Sequence, residues 1–252
     1  MAHRSPCCVA GAHVLIAVEG IDGGGKSTVA REVCEQLQAT SLKACCVDKK
    51  ATGQVTPEVA TRAEALRQLI WNADAPTDQF GTSHWILLIA SWYSALNRIQ
   101  PLFSAHADQI VIVDGWYYRN IAKTIVRSGA DERWLDSLFA SAVMPDVVVL
   151  LDVDPAVAWK RRSEFTDTEL GRWDGFDGEP VDAFCSYQTR IRQELVRMSD
   201  ERKWVRLMPH PTLTTSAVAE EVVDQILPRV AVKRAGDSAC LEMDRPLVRG
   251  TP

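Results

Sequence analysis

One lysine and one serine close a run of glycines near the start of the chain: Gly20-Ile21-Asp22-Gly23-Gly24-Gly25-Lys26-Ser27, followed by Thr28. The spacing is G-x-x-x-x-G-K-[ST], and the chemistry it suits is the capture of phosphate. Successive backbone N–H groups in such a turn point inward as an anion nest, and the N-terminus of a following helix adds its positive end. A Cβ in the turn would block the backbone's approach to phosphate oxygens. Lys26 is placed to reach β- and γ-phosphates as a mobile charge, and Ser27 to ligate Mg²⁺. Gly20 through Thr28 are therefore expected to hold a nucleoside triphosphate together with Mg²⁺. The flanks agree, with five apolar residues, Val14–Val18, before the turn and Val29, Val33 and Leu37 at helical spacing after it.

The elements that must position this loop follow from the apolar runs. Val14–Val18, Leu42–Val47, Gln109–Val113, Val147–Leu151 and Lys203–Leu207 read as strands, separated by helical patterns. Thr56-Pro57-Glu58 opens one helix, and another begins at about Asp78, with Trp85, Leu88, Trp92 and Leu96 at helical spacing. Arg119–Arg127 is a third, Asp131 and Asp154 cap two more, Pro180 opens a long one and Ala217–Val230 is the last. Asn72–Pro76 reads as a turn, and Pro101 as a helix stop. Strands alternating with helices imply a three-layer α/β/α fold around a five-stranded parallel sheet. Such sheets bind ligands beyond the C-terminal ends of their strands. That rule gathers Glu19–Ser27, Asp48–Lys50, Asp114–Arg119 and Asp152 on one edge.

Composition narrows the partners. The 252 residues suit one large α/β domain, and a net charge of −5 gives no field for a nucleic-acid polymer. Seven scattered cysteines form no C-x-x-C pattern, so neither a disulfide framework nor a zinc site is indicated, and a cytoplasmic location fits best. Val14–Val18 is too short for a signal peptide core, and the longest apolar run, Trp85–Leu96, is too short to span a bilayer. The expected organisation is a loose leader at 1–11, a phosphate-loop domain at 12–230 and a loosely ordered tail at 231–252. Within the domain, residues 163–178 form a polar, glycine-rich stretch with Arg172 in its middle.

Two stretches together resemble the thymidylate kinases of the P-loop nucleoside-monophosphate kinase superfamily: Val18-Glu19-Gly20-Ile21-Asp22-Gly23-Gly24-Gly25-Lys26-Ser27-Thr28, and Pro145-Asp146-Val147-Val148-Val149-Leu150-Leu151-Asp152-Val153-Asp154-Pro155 running on to Arg161-Arg162. Asp114 stands where that family has a strand-end Asp, and Phe184–Leu207 is similar to its post-lid helix and last strand. The resemblance spans about Val14–Val230. It implies an ATP-dependent phosphotransferase with a mobile basic lid at about 163–178, and catalytic residues Lys26, Asp114 and one or more of Arg161, Arg162 and Arg172. Asp114 would orient Mg²⁺, with Ser27, or accept a hydrogen bond from the acceptor. Arg161 and Arg162 also end a helix, where they would complement its dipole. The resemblance further implies a homodimer, with the apolar helix Asp78–Leu96 as a candidate face.

The departures concern the acceptor. The family's Thr-Arg-Glu-Pro after the second strand is here Asp48-Lys49-Lys50-Ala51-Thr52. Its Arg after the strand-end Asp is here Gly115, and its helix carrying an Asp-Arg pair near the base pocket reads here Ala90-Ser91-Trp92-Tyr93-Ser94. A lysine does not replace a bidentate arginine–phosphate fork on equal terms. Either Lys49, Lys50 and Arg119 hold an acceptor monophosphate from new directions, or the acceptor is a nucleoside or another small-molecule hydroxyl. Trp92, Tyr93, Trp116, Tyr117 and Tyr118 could wall a ring. The expected acceptor-binding set is Lys49, Lys50, Trp92, Trp116, Tyr117 and Arg119. A non-catalytic nucleotide-binding module is the third reading, and intact Lys26, Ser27 and Asp114 argue against it.

Overall fold

The computed structural model describes residues 13–53, 55–71, 78, 80–99 and 109–243. The leader at 1–11, the turn at Asn72–Pro76, the stop at Pro101 and the last residues of the tail lie outside them.

The strands are β1 (Val14–Gly20), β2 (Ala44–Val47), β3 (Ile110–Asp114), β4 (Val147–Leu151) and β5 (Val205–Leu207), and all pair in parallel in the order β2-β3-β1-β4-β5. β1 lies at the centre and is buried along its whole length. That is why it reads as an unbroken apolar run rather than an alternating one: both of its faces are covered. The register sets Val18 beside Asp114 and Gly20 beside Leu151. The strand ends, and the loops after them, therefore open on one edge.

The helices are α1 (Lys26–Ala39), α2 (Pro57–Trp71), α3 (Thr82–Ile99), α4 (Tyr118–Ser128), α5 (Glu132–Leu138), α6 (Pro155–Trp159), α7 (Asp167–Leu170), α8 (Pro180–Glu201) and α9 (Thr215–Met243). A short 3-10 turn at Arg172–Asp174 follows α7. Asp131 and Asp154 cap α5 and α6 through their carboxylates, accepting from the N–H groups of Trp134 and Ala156. A five-strand parallel sheet between helices is the P-loop α/β/α kinase architecture.

Several boundaries differ from the sequence expectation, and four of the differences have a clear local reason. β2 starts at Ala44 rather than Leu42 because Ser41 has φ 63° and the N–H of Leu42 turns back to the Leu37 carbonyl, closing α1. β5 starts at Val205 because Lys203 has φ 55° and Trp204 N–H closes α8 on the Ser199 carbonyl. α3 starts at Thr82 because the Asp78 carboxylate takes the N–H groups of Phe80 and Gly81 at 2.9 and 3.1 Å, an Asx-type turn ahead of the helix. α9 runs past Val230 to Met243, into the stretch expected as a tail. Among the side chains described, Val230 is the last buried one and Val232 is exposed, so the apolar periodicity fades there. Alanine, lysine and arginine favour a helical backbone beyond it.

Candidate active site

The edge formed by the strand ends carries a cavity of about 700 Å³. Its lining follows the strand order. Over β2 and β3 it is made by Asp48, Lys49, Lys50, Asp114, Trp116, Arg119 and Asn120. Over β1 it is the phosphate loop, Asp22–Thr28. Over β4 and β5 it is Arg161, Arg162, Pro209, Pro211 and Leu213. Gly20 and Ile21 lie behind the loop and do not line the cavity.

Gly25 has φ 90° and stands at the N-cap of α1 with no side chain capping the helix. The first N–H groups of α1 are left for an anion. The Lys26 ammonium folds back to donate to the Ile21 carbonyl at 2.6 Å. Burial and Arg119 push it down to about 8, against the pull of Asp22, Asp114 and Glu19. The Ser27 hydroxyl donates to Asp114 Oδ2 at 2.5 Å. Asp114 Oδ1 is buried and has no hydrogen-bond partner among the described residues. A serine oxygen, two carboxylate oxygens and an unsatisfied one among them fit Mg²⁺, which takes few protein ligands and completes its shell with phosphate and water.

Asp22, within the loop, is a junction. Its carboxylate pairs with Arg119 and, at 3.1 Å, with Lys123. Burial works to raise this carboxyl, but Arg119, Lys123 and Lys26 outweigh it and hold it well below the usual range. Gln188 on α8 accepts the Asp22 N–H at 3.2 Å and donates to the Glu169 carbonyl of α7 at 2.8 Å. It thereby joins the phosphate loop to the 163–178 stretch.

The basic residues of that stretch and its approach separate by contact. Arg161 donates to the Gly24 carbonyl at 3.0 Å and lies against the loop. Arg162 lines the cavity but pairs with Glu169 at 2.8 Å. Arg172 donates to the Phe176 and Gly178 carbonyls at 3.0 and 2.7 Å and does not reach the cavity.

The acceptor residues expected from sequence separate likewise. Lys49 reaches under β3, donating to the Asp114 carbonyl and, at 2.9 Å, to that of Gly115. Burial and Arg119 push its ammonium down to about 8. Lys50 lies over the Trp71 ring, 5.1 Å from its centroid. Lys49, Lys50, Arg119 and Trp116 all line the cavity. Trp92 and Tyr117 do not. Trp92 is fully buried, its indole N–H spent on the Lys49 carbonyl at 2.9 Å, and Tyr117 stacks on Phe139 at 4.4 Å. Those two are core: Trp92 faces inward from α3, and Tyr117 packs inward from the turn ahead of α4.

Sequence reasoning gathered Glu19 on the ligand edge without giving it a role, and passed over Trp71, Asn120, Lys123, Gln188 and the prolines at 209 and 211 as site residues. Glu19 and the two prolines carried a signal. Glu19 is an acid at the end of an apolar strand, and such a buried acid asks for an explanation. Its Oε1 accepts the Trp116 N–H at 2.7 Å and fixes the turn after Asp114. Pro209 and Pro211 follow the last strand at the ligand edge.

The family model for thymidylate kinase matches residues 18–207, from the end of β1 to the end of β5. This chain belongs to the thymidylate kinase family. The kinase is 31% identical over 193 residues to the thymidylate kinase of Burkholderia vietnamiensis, covering 74% of this chain and 84% of that one. It is 31% identical over 149 residues to the probable thymidylate kinase of Archaeoglobus fulgidus, covering 59% and 68%. With the thymidylate kinase of Pelodictyon phaeoclathratiforme it shares 28% over 205 residues, 77% and 87% of the two chains. Family membership makes the chain a nucleotide kinase. Among the described residues, no helix is long and apolar enough to cross a membrane.

Proposed function

We propose that this kinase moves the γ-phosphoryl group of ATP to a nucleoside monophosphate, thymidylate-like in kind, giving a nucleoside diphosphate and ADP. The observation that carries the reading is one cavity with a phosphate loop over the centre of the sheet and a second cationic group, Lys49, Lys50 and Arg119, over β2 and β3. Two anionic ends call for two sets of cations.

The donor's phosphates lie in the loop, on the N–H groups at the start of α1. Lys26 exchanges the Ile21 carbonyl for a phosphate oxygen, and Arg161 stands where charge grows on the transferring group. Ser27 and Asp114 would hold Mg²⁺, which would draw charge from the phosphate oxygens. Pro209, Pro211 and Leu213 give the donor's base an apolar wall. On the other side Lys49, Lys50 and Arg119 hold the acceptor phosphate. One of its oxygens forms the new bond to the γ-phosphorus as the β–γ bridge breaks, and ADP leaves with the electron pair. Positioning and charge carry such a transfer, with little covalent work for the protein.

A second reading has one observation in its favour. Arg119 already spends its charge on Asp22, which suits an acceptor lacking a phosphate, such as a nucleoside. A coupled assay of ADP formation separates the two. It is run with Mg²⁺ across dTMP, dUMP, other nucleoside monophosphates and the parent nucleosides, with Lys26→Ala as control. Turnover of monophosphates supports the first reading; turnover of nucleosides alone replaces it with the second.

A further inference from the structure

Beside the cavity, three buried side-chain oxygens find no hydrogen-bond partner among the described residues: Asp114 Oδ1, Glu19 Oε2 and Tyr93 Oη. Asp114 Oδ1 belongs to the metal position argued above. Glu19 sits among the charges of Lys49, Arg119 and Lys26, which compensate it. Tyr93 has no such account.

Tyr93 lies on α3, is 1% exposed and lines the cavity. Its ring is held edge-on by Trp116 at 4.8 Å, by Tyr117 at 5.5 Å and by Phe139 at 6.0 Å. Packed on three aromatic neighbours, the phenol has no room to swing its oxygen out to solvent. A phenylalanine would make the same ring contacts. A buried hydroxyl with no partner is costly, by about 1–3 kcal/mol, so its retention points to a partner that arrives with a ligand. Burial also keeps the phenol protonated, the state that donates. The charges it feels are those of Glu19, Arg119 and Asp114, which places it by the acceptor end of the cavity rather than the donor-base wall.

We propose that Tyr93 is a substrate-reading residue whose hydroxyl donates a hydrogen bond to an oxygen of the phosphoryl acceptor. The inference rests on the acceptor site assigned under the proposed function. The oxygen can belong to the acceptor's phosphate or to its nucleoside part, since a neutral hydroxyl serves either.

The test uses Tyr93→Phe in the full chain, which keeps the ring and removes the oxygen. Wild type and variant are loaded with saturating ADP, so that the phosphate loop is filled, and titrated by calorimetry with dTMP, thymidine and orthophosphate. A lost hydrogen bond weakens binding roughly three- to tenfold where the partner is a neutral oxygen, and about ten- to a hundredfold where it is a phosphate oxygen. Weakening toward dTMP and orthophosphate assigns the phosphate. Weakening toward dTMP and thymidine, with orthophosphate unchanged, assigns the nucleoside. In both cases affinity for ADP stays as it was. Y93F that binds all three ligands as wild type does overturns the inference and leaves the function standing. Wild type that binds none of the three overturns the acceptor site itself, and the inference with it. The melting temperature of the free protein gives a readout no structural role would share: it stays level or rises in Y93F, because an unsatisfied group has been removed. A fall of several degrees with affinity unchanged would assign the hydroxyl to the fold instead.

Discussion

Gly115→Ala isolates the acceptor end of the site. Gly115 has φ 67°, and a Cβ there would stand 2.7 Å from Lys49 Nζ, with Glu19 Oε2 and Lys26 Cε at 3.8 Å. Two costs follow. The left-handed backbone strains any residue with a Cβ by roughly 1–2 kcal/mol. The Lys49 ammonium must also withdraw by several tenths of an ångström, and it leaves the two carbonyls it bridges. Hydrogen bonds to a charged group are worth about 1.5–3 kcal/mol each. A withdrawn Lys49 no longer presents its charge where the acceptor phosphate is proposed to sit. The expected result is a KM for the acceptor raised about ten- to a hundredfold, corresponding to roughly 1.4–2.8 kcal/mol, with the KM for ATP unchanged. Backbone strain alone lowers the melting temperature by roughly 2–8 °C for a chain of this size. Steady-state kinetics with each substrate varied in turn, beside thermal melts, read both. Lys49→Ala supplies the decisive comparison. In that background Gly115→Ala should still lower the melting point but add little to the acceptor KM, because the group it displaces is gone. Fully additive effects on KM would refute the idea that the glycine is there to admit Lys49.

The remaining expectations are briefer. Arg161→Ala should lower kcat by about a thousandfold, the scale of an arginine acting on the transferring phosphoryl group. Arg172→Ala, which releases only the Phe176 and Gly178 carbonyls, should cost far less, and the opposite ranking in single-turnover rates would move the role to Arg172. Gln188→Leu strands the Asp22 N–H and the Glu169 carbonyl; it should destabilise by about 2–3 kcal/mol in urea unfolding and lower kcat as well. The Asp22 carboxyl lies below its unfolded value near 3.8, so its contribution is present above that pH and is lost as pH falls through the folded value. Asp22→Asn should therefore melt well below wild type at pH 7, by about 3 kcal/mol for a broken buried pair, with the two curves converging in acid. A gap that stays constant down to pH 2 would mean that the ion pairs are not what Asp22 contributes.

The fold was legible wherever a local rule was sufficient. Asp131 and Asp154 announce their helices because a carboxylate before a helical run has a free N–H to accept. Pro180 announces α8 because a first-turn residue needs no N–H bond. The parallel sheet follows from strands apolar on both faces. Boundaries failed where a side chain or one unusual dihedral decided them. Ser41 and Lys203 take left-handed angles that no composition signals, and the Asx turn at Asp78 needs the chain to be already folded back toward Arg127.

The two halves of the site differ in legibility for a related reason. The proposed donor half is built from consecutive residues, and its chemistry is mostly backbone, so glycine spacing encodes it directly. The proposed acceptor half is built from the tips of long side chains that cross between elements. Lys49 comes from the end of β2, yet its ammonium lies beneath the turn after β3, in space that only Gly115 leaves open. Lys49 and Gly115 are distant in sequence, and neither alone says that the other is needed. Trp92 and Tyr117 show the converse. Each sits beside residues that do line the cavity, Tyr93 and Trp116, and yet faces the core. On a helix a step of one residue turns the side chain by about 100°, so Trp92 and Tyr93 on α3 cannot share one wall, while Trp116 and Tyr117 stand in the turn ahead of α4, where no helical rule sorts them. Among the described residues, the buried phenol that reaches the cavity, Tyr93, is one whose oxygen has no hydrogen-bond partner. A pocket rebuilt by reach in this way keeps its family's donor signature, while the acceptor contacts proposed for it use different residue types at the places where the family's motifs stand.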